Sequence, residues 1–489
     1  MTKPTIATLG ELRASGYAPK SIKEELRANL IDRLRDGSTI FPGILGFDDT
    51  VLPDVERALL SRHSILLLGL RGQAKTRIAR QLVGLLDEWT PVVAGSELND
   101  DPLQPLSRTA VDLIAERGEE TPVAWMHRSD RYVEKLATPD VSVADLIGDV
   151  DPIKAATLKL PYSDERTIHF GLVPRAHRCL FVINELPDLQ ARIQVSLFNI
   201  LQEGDIQIRG FKLRLPLDIQ FVFTANPEDY TNRGSIITPL KDRIQSQILT
   251  HYPKDIALAR QITEQEADLT DAQREKVAVP GLLLTLLETV VMNARESEFV
   301  DTNSGVSARL SITAYENLVS AAERRAIRNG EAHVTARIQD FWGIIPAITG
   351  KVELVYEGEQ EGPYKVALKL IGEAVKQTFL AIFPDPRKQK GDRDTYGVVR
   401  AWFGGGNTVS LLNELPDGEF AQKLSEVGGL RKLAQSVDVE GADETLLMEL
   451  LLHGLTETDV LNRDFIDRQM NFRDMLAGML DDEDIFGRN

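Results

Sequence analysis

Cysteine is almost absent: Cys179 is the only one in 489 residues. A disulfide framework and a cysteine-built metal centre are therefore excluded, and the lone thiol, set in an apolar run, is expected to be a buried small hydrophobe in a reducing compartment. Basic residues are in deficit, 56 Lys and Arg against 74 Asp and Glu, for a formal charge of −18. That balance argues against nucleic acid as the principal partner. Long apolar runs are missing too. The most apolar window, residues 280–293, is interrupted by Glu288 and is too short to span a bilayer. Residues 1–10 lack the basic-then-apolar layout of a secretory signal, so the expectation is a cytoplasmic protein without membrane insertion. The seven histidines are scattered, with no paired His/Cys spacing of a transition-metal site. No Gly-x-Ser-x-Gly elbow and no repeat of fixed period is present.

The chain is longer than one hydrophobic core usually grows, so two to four domains are expected. Its 43% hydrophobic and 27% charged residues are those of a soluble globular protein. Ser21 with Glu24 forms a capping box, Ile22, Leu26, Leu30 and Leu34 recur at helical spacing, and Gly37 supplies a stop, which predicts an amphipathic helix over residues 21–36. From about Ile44 to His251 apolar strand-like runs alternate with helical patterns, the mark of a parallel sheet covered by helices. Residues 255–348 read as successive amphipathic helices. Beyond Gly350 the pattern is mixed: a strand-like piece at Val352 to Tyr356, a helix near Val366 to Ile382, a charged linker over residues 383–393, and an acidic run at Asp481 to Asp484 that reads as a solvated tail. The resulting division is an N-terminal helical extension (1–40), an α/β domain (41–252), an all-helical domain (253–350) and a small mixed C-terminal accessory region (351–489).

The most informative segment runs from Ser64 to Thr76. An apolar strand, Ile65 to Leu68, leads into Gly69-x-x-Gly72-x-x-Lys75-Thr76 and then into a helix carrying Ile78, Leu82, Leu85 and Leu86. Glycines let a backbone fold around phosphates with its N–H groups inward, a lysine reaches the β- and γ-phosphates, and a Thr hydroxyl can ligate Mg²⁺. This is a site for ATP or GTP. The usual pattern has glycine before the lysine, and Ala74 stands there instead.

The remainder of a hydrolytic site follows in order. Cys179 to Ile183 is an apolar strand ending in Asn184-Glu185, where such sites place an acidic pair, the first residue helping to hold Mg²⁺ and the second orienting the attacking water. Asn184 replaces the first carboxylate, so a weaker pull on Mg²⁺ and slow turnover are expected. Ile219 to Ala225 is another apolar strand, and it ends in Asn226, a candidate to fix a water or the γ-phosphate. Arg243 and Arg309 follow, in Pro239-Leu-Lys-Asp-Arg243 and Val306-Ser-Ala-Arg309. An arginine near the γ-phosphate stabilises the charge that spreads in the transition state, though most arginines are ordinary surface residues. Between these segments, Ile206 and Ile208, then Leu213 and Leu215, alternate with polar residues about Arg209-Gly210, which predicts a hairpin whose basic edge, Arg209, Lys212 and Arg214, reads first as a solvated face.

Taken in this order, the strand, phosphate loop, Asn184-Glu185, Ala225-Asn226-Pro227, Leu240 to Arg243 and Ser307 to Arg309 resemble the AAA+ ATPases of the MoxR and magnesium-chelatase small-subunit group. Alanine before the lysine is characteristic of the MoxR branch. Val141 to Val150 with Gly171 to His177 resembles that group's insert before the acidic strand, and Gly204 to Leu215 its hairpin. The likeness covers roughly residues 40–350. It implies a P-loop AAA+ α/β core followed by a helical lid, ATP with Mg²⁺ as cofactors, and a ring, expected as a hexamer, that remodels a client or drives metal insertion with a partner bearing a von Willebrand factor A-type domain. It also implies roles: Gly46 near the adenine; Gly69, Gly72, Gln73, Ala74, Lys75 and Thr76 around the phosphates; Thr76 and Asn184 toward Mg²⁺; Glu185 as the catalytic carboxylate; Asn226 and Arg309 as first and second sensors; Arg243 as the finger offered to a neighbouring subunit. Two other functions stay open: a nucleotide-dependent scaffold that scarcely hydrolyses, and an enhancer-binding transcription regulator, although the latter's Gly-Ala-Phe-Thr-Gly-Ala loop and basic C-terminal helix-turn-helix are absent.

Overall fold

The computed structural model describes residues 2–161, 164–203, 205–206, 208, 215–226, 235–389, 394–466 and 469–474. Arg209, Gly210, Lys212 and Arg214 of the expected hairpin, Pro227, residues 390–393 of the expected linker and the acidic run at 481–484 lie outside that set. The chain divides into two compact units, Met1–His251 and Tyr252–Asn489.

In the first unit, five parallel strands form the sheet: β1 (Ile65–Leu68), β2 (Tyr132–Leu136), β3 (Cys179–Asn184), β4 (Ile219–Ala225) and β5 (Ser246–Leu249), in the order β5-β1-β4-β3-β2. Every residue of β3 and β4 is buried, as expected of parallel strands covered on both faces. Alternate side chains feed opposite cores because the strand period is two. Leu66, Phe181, Ile183, Phe221 and Phe223 enter one, while Ile65, Leu67, Leu180, Val182 and Val222 enter the other. Cys179 belongs to the first of these, 1% exposed, with burial pushing its thiol up to about 12. The ends of the expected hairpin are present as Asp205–Ile206 paired antiparallel with Leu215–Pro216.

Residues 1–40, expected as an extension, contribute directly to this unit. Helix α1 (Ile22–Asp36) starts on the Ser21/Glu24 capping box and stops at Gly37, whose left-handed φ of 66° suits glycine. Ile22, Leu26 and Leu30 pack into the same core as Ile65 and Leu67. Glu25, on the same helix, forms a buried bidentate pair with Arg131, at 2.6 and 2.7 Å. Arg131 also donates to Arg178 O and Thr90 Oγ1, and Glu25 Oε1 accepts the Asp87 N–H. Asp218 Oδ2 accepts the Ile22 N–H at 2.7 Å, at the start of the helix.

The second unit is built on long helices, Gly281–Glu296, Ala308–Asn329, Pro363–Ile382 and Glu444–Glu457, around one apolar core that includes residues from Ala267 to Phe472. Residues 253–350 are not wholly helical: Val277–Ala278 pairs in parallel with Val334–Thr335. The strand-like piece at Val352 to Tyr356 reduces to a single bridge, Val300 with Leu354, and Tyr356 already opens a helix. The linker expected from residue 383 is anchored at its start, since Phe383 is buried and the fully buried Tyr396 donates its hydroxyl to Pro384 O at 2.6 Å. Three antiparallel strands, Val409–Leu412, Leu461–Ile466 and Gln469–Asp474, complete the unit. Among the described residues, no helix is long and apolar enough to cross a membrane.

Two charges withdrawn from water are tolerated only while paired, so Arg131→Met, which strands Glu25, is expected to cost about 3–5 kcal/mol in urea unfolding, and Glu25→Leu/Arg131→Met to recover much of that loss. Asp218 and His177 predict a pH signature. Burial pushes Asp218 up to about 6 and, with help from Arg178, pushes His177 down to about 4, and His177 Nδ1 accepts the Asp218 N–H. The Asp218 contribution is complete below its ordinary 3.8 and is lost as pH rises through about 6; the His177 contribution is complete above its ordinary 6.5 and is lost as pH falls toward 4. The two slopes oppose each other. Asp218→Asn should therefore make melting temperature fall more steeply between pH 6 and 4 than in the wild type, and parallel curves would contradict this account.

Candidate functional site

The ladder aligns Leu68 with Ala225 on one side and Leu249 on the other, and Ile183 with Phe223. Gly69, Asn184, Asn226 and Thr250 therefore emerge along one edge of the sheet. In open parallel sheets this carboxyl edge is where ligands bind.

Gly69 donates its N–H to Ala225 O at 3.2 Å. A Cβ on it would lie 2.0 Å from Thr250 Oγ1 and 2.2 Å from Gln73 Oε1, so only glycine passes there. Those two atoms are themselves bonded at 2.6 Å, which ties the loop to the chain leaving β5. Gly72 has φ 74°. Ala74 has φ 54° and ψ 12°, and a side chain in this left-handed conformation costs roughly 1–2 kcal/mol. That is the physical reason glycine usually stands before the lysine.

Helix α2 (Lys75–Gln81) begins at this point with no side-chain cap. Lys75 is 9% exposed, and its Nζ donates to Gly69 O, to Leu70 O at 2.7 Å and to Asn226 Oδ1 at 2.9 Å. Thr76 Oγ1 lies 3.4 Å from Asn184 Oδ1. A buried ammonium, a hydroxyl and two amide oxygens beside a glycine loop fit a triphosphate with a hard divalent cation, which prefers oxygen ligands. Glu185 follows Asn184 in a left-handed conformation, φ 55°, with its N–H donated to Thr224 Oγ1 at 3.2 Å.

Gly69, Gly72, Gln73, Ala74, Lys75, Thr76, Asn184 and Asn226 are thus gathered at one edge, with Glu185 next in the chain. Gly46, φ 78°, lies in the turn before the helix Val51–Leu60. Its neighbour Phe47 meets His251 edge-on at 5.0 Å, and Thr50 Oγ1 bonds the His251 ring at 2.9 Å, which joins that turn to the segment after β5. Arg243 stands at the end of the helix Thr238–Arg243, bonded to Gln202 Oε1 and Pro239 O, its guanidinium 5.0 Å from the Phe198 ring centre. Arg309 belongs to the other unit, exposed at the start of the helix Ala308–Asn329, its N–H capped by Ser307 Oγ.

Two site residues escape sequence reasoning. Thr224 Oγ1 donates to Asn184 Oδ1 at 3.1 Å, and its only sequence signal is a hydroxyl inside an otherwise apolar strand. Glu134, on β2, accepts Asn184 Nδ2 at 2.6 Å, and also Arg80 and the Tyr132 hydroxyl. Burial raises the Glu134 carboxyl, but its bonds from Arg80, Tyr132 and Asn184 together hold it below the usual range. Nothing in the pattern around Glu134 points to Asn184, fifty residues later.

No protein-family model matches the chain. Magnesium-chelatase subunit ChlI-2, chloroplastic, of Arabidopsis thaliana is 23% identical over 257 residues, 51% of this chain. The match spans 58% of that curated relative's length. Among solved structures, the complex between subunits BchI and BchD of magnesium chelatase is matched at 20% identity and TM-score 0.31, over 66% of this chain and 98% of the other. NtrX from Brucella abortus in complex with ATP is matched at 14% identity and TM-score 0.35, over 60% and 53%. The sheet order and the glycine loop after β1 are those of an AAA+-like P-loop fold. The curated match is a likeness to a magnesium-chelatase subunit over about half of each chain.

The left-handed position predicts a graded response at residue 74. Ala74→Gly should leave stability within about 1 kcal/mol of wild type, because relief of the strained φ is offset by unfolded-chain entropy. Ala74→Val, β-branched in the same conformation, should cost about 2 kcal/mol. Chemical denaturation of the two variants reads the difference.

Proposed function

We propose that this chain is the ATP-driven subunit of a ring that remodels a partner protein or drives metal insertion. The observation that carries the reading is the convergence of Lys75, Thr76, Asn184 and Asn226 at the carboxyl edge of one parallel sheet. Lys75 exchanges its carbonyl partners for the β- and γ-phosphate oxygens, and Asn226, already bonded to it, holds the γ side. The hydroxyl of Thr76 and the amide oxygen of Asn184 would hold Mg²⁺, which when bound would supply positive charge against the phosphates. Glu185 orients the attacking water and takes its proton, and Arg243, from a neighbouring subunit, balances charge on the γ-phosphoryl oxygens. Arg309 acts as a second sensor of the same phosphate, and the Gly46 turn borders the base.

A site completed by a neighbour's arginine needs subunits joined head to tail, and a closed ring of six is the reading adopted. The likeness to a magnesium-chelatase subunit supports a partner subunit as the client, with a von Willebrand factor A-type domain as the proposed partner feature. Asn184 in place of a carboxylate favours a second reading, a nucleotide-dependent scaffold with little turnover.

Turnover assays separate the two. Under the motor reading, Lys75→Ala loses nucleotide binding, whereas Glu185→Gln keeps binding and loses about 10²–10³-fold in rate, the scale of losing one catalytic group. Arg243→Ala subunits should be inactive alone yet regain turnover when mixed with Glu185→Gln subunits, since a Glu185→Gln neighbour supplies an intact Arg243 to a site whose own Glu185 is intact. Equal near-zero rates in wild type and Glu185→Gln would favour the scaffold.

A further inference from the structure

Resting on the reading of Asn184 as a Mg²⁺-side residue, we infer that Glu134 is a positioning residue that makes asparagine, and not aspartate, the residue required at 184. Glu134 Oε1 accepts from Asn184 Nδ2 at 2.6 Å and from Arg80 Nη2 at 3.2 Å, while Oε2 accepts from Arg80 Nε and the Tyr132 hydroxyl, both at 3.0 Å. An ionised carboxylate only accepts, so it faces the NH₂ end of the amide and no other. The amide is thereby oriented. Its oxygen turns to the Thr76 hydroxyl at 3.4 Å and the Thr224 hydroxyl at 3.1 Å, toward the side where the cation is held.

The contacts form a closed circuit. Arg80 and Thr76 both belong to α2, Glu134 to β2 and Asn184 to β3, so the helix after the phosphate loop is fastened at two points through one amide. Glu134 already has a cationic partner in Arg80, so its charge is balanced inside the circuit. On the sequence alone, aspartate at 184 would restore a missing charge. Here it would set acceptor against acceptor at a contact now 2.6 Å long, and one carboxyl would have to take a proton or swing away. Either change removes the orientation that Asn184 has.

The test is an exchange of partners. Wild type, Asn184→Asp, Glu134→Gln and the double variant Asn184→Asp/Glu134→Gln are compared for affinity to a fluorescent ATP analogue in Mg²⁺ and in EDTA, for the Mg²⁺ dependence of ATP turnover, and for melting temperature. In the double variant the glutamine NH₂ takes the place of Oε1 and donates to the carboxylate introduced at position 184, giving up the bond from Arg80 Nη2, while its oxygen keeps those from Arg80 Nε and the Tyr132 hydroxyl. Like-charge repulsion should make Asn184→Asp alone about tenfold weaker for the Mg²⁺-nucleotide and lower its melting temperature, with affinity in EDTA unchanged. The double variant should return to within about threefold of wild type and melt with it, the non-additivity expected of contacting residues. Asn184→Asp binding as well as or better than wild type, or a double variant as weak as that single one, would overturn the inference. Wild type without nucleotide affinity would sink the nucleotide reading instead, and the melting temperatures of the four proteins would still decide whether the two side chains are coupled.

Discussion

Parallel pairing in register is the constraint on which the rest of the structure depends. Because β1 is bonded to β4 and β5, and β4 to β3, without slippage, four strand ends arrive at one edge: β1 delivers the glycine loop there, and β3, β4 and β5 deliver Asn184, Asn226 and Thr250. A one-residue slip would turn every side chain of a strand to the other face and take Asn184 out of reach of Thr76 or Asn226 out of reach of Lys75. Parallel strands also need cover on both faces. The first forty residues supply part of that cover, which is why α1 is secured by a buried ion pair and by a carboxylate at its first N–H, and not by apolar contact alone.

How much of this was legible in the sequence follows from the range of the interaction involved. The phosphate loop was readable because its requirements are local: Gly69 has no room for a Cβ, Gly72 has a positive φ, and Lys75 is fixed by its spacing from both. The α1 boundaries were readable for the same reason, since a capping box and a left-handed glycine act within one turn. Strand ends carrying Asn184 and Asn226 stood out as polar residues closing apolar runs. Glu134 and Arg131 did not. Each acts on a residue fifty or more positions away, and in sequence each looks like an ordinary surface charge. The antiparallel strands near the C-terminus, such as Val409–Leu412 with Gln469–Asp474, escaped because their partners lie about sixty residues apart and no turn signal joins them. At Val352 to Tyr356 the difference ran the other way, where a strand-like piece pairs, among the described residues, only at the Val300–Leu354 bridge.

The two departures from the usual phosphate-site pattern have different physical standing. Ala74 is a local matter, a methyl group carried in a conformation that glycine adopts freely, and its consequences stay within the backbone of the loop. Asn184 is embedded. Its amide is shared among Thr76, Thr224 and Glu134, so its chemistry belongs to a group of side chains drawn from α2, β2, β3 and β4. Read singly, the asparagine is a lost charge; read with its partners, it is the donor that a neighbouring carboxylate requires.

Cys179 has a practical consequence. Its sulfur is sealed in the sheet, and the thiolate that would react with maleimides or iodoacetamide is disfavoured by that burial. For labelling chemistry under native conditions the chain behaves as though it were cysteine-free, so a thiol introduced at a chosen surface position would carry a fluorophore or spin label without competition. Distance measurements between such labels on separate copies would report directly on whether the copies assemble.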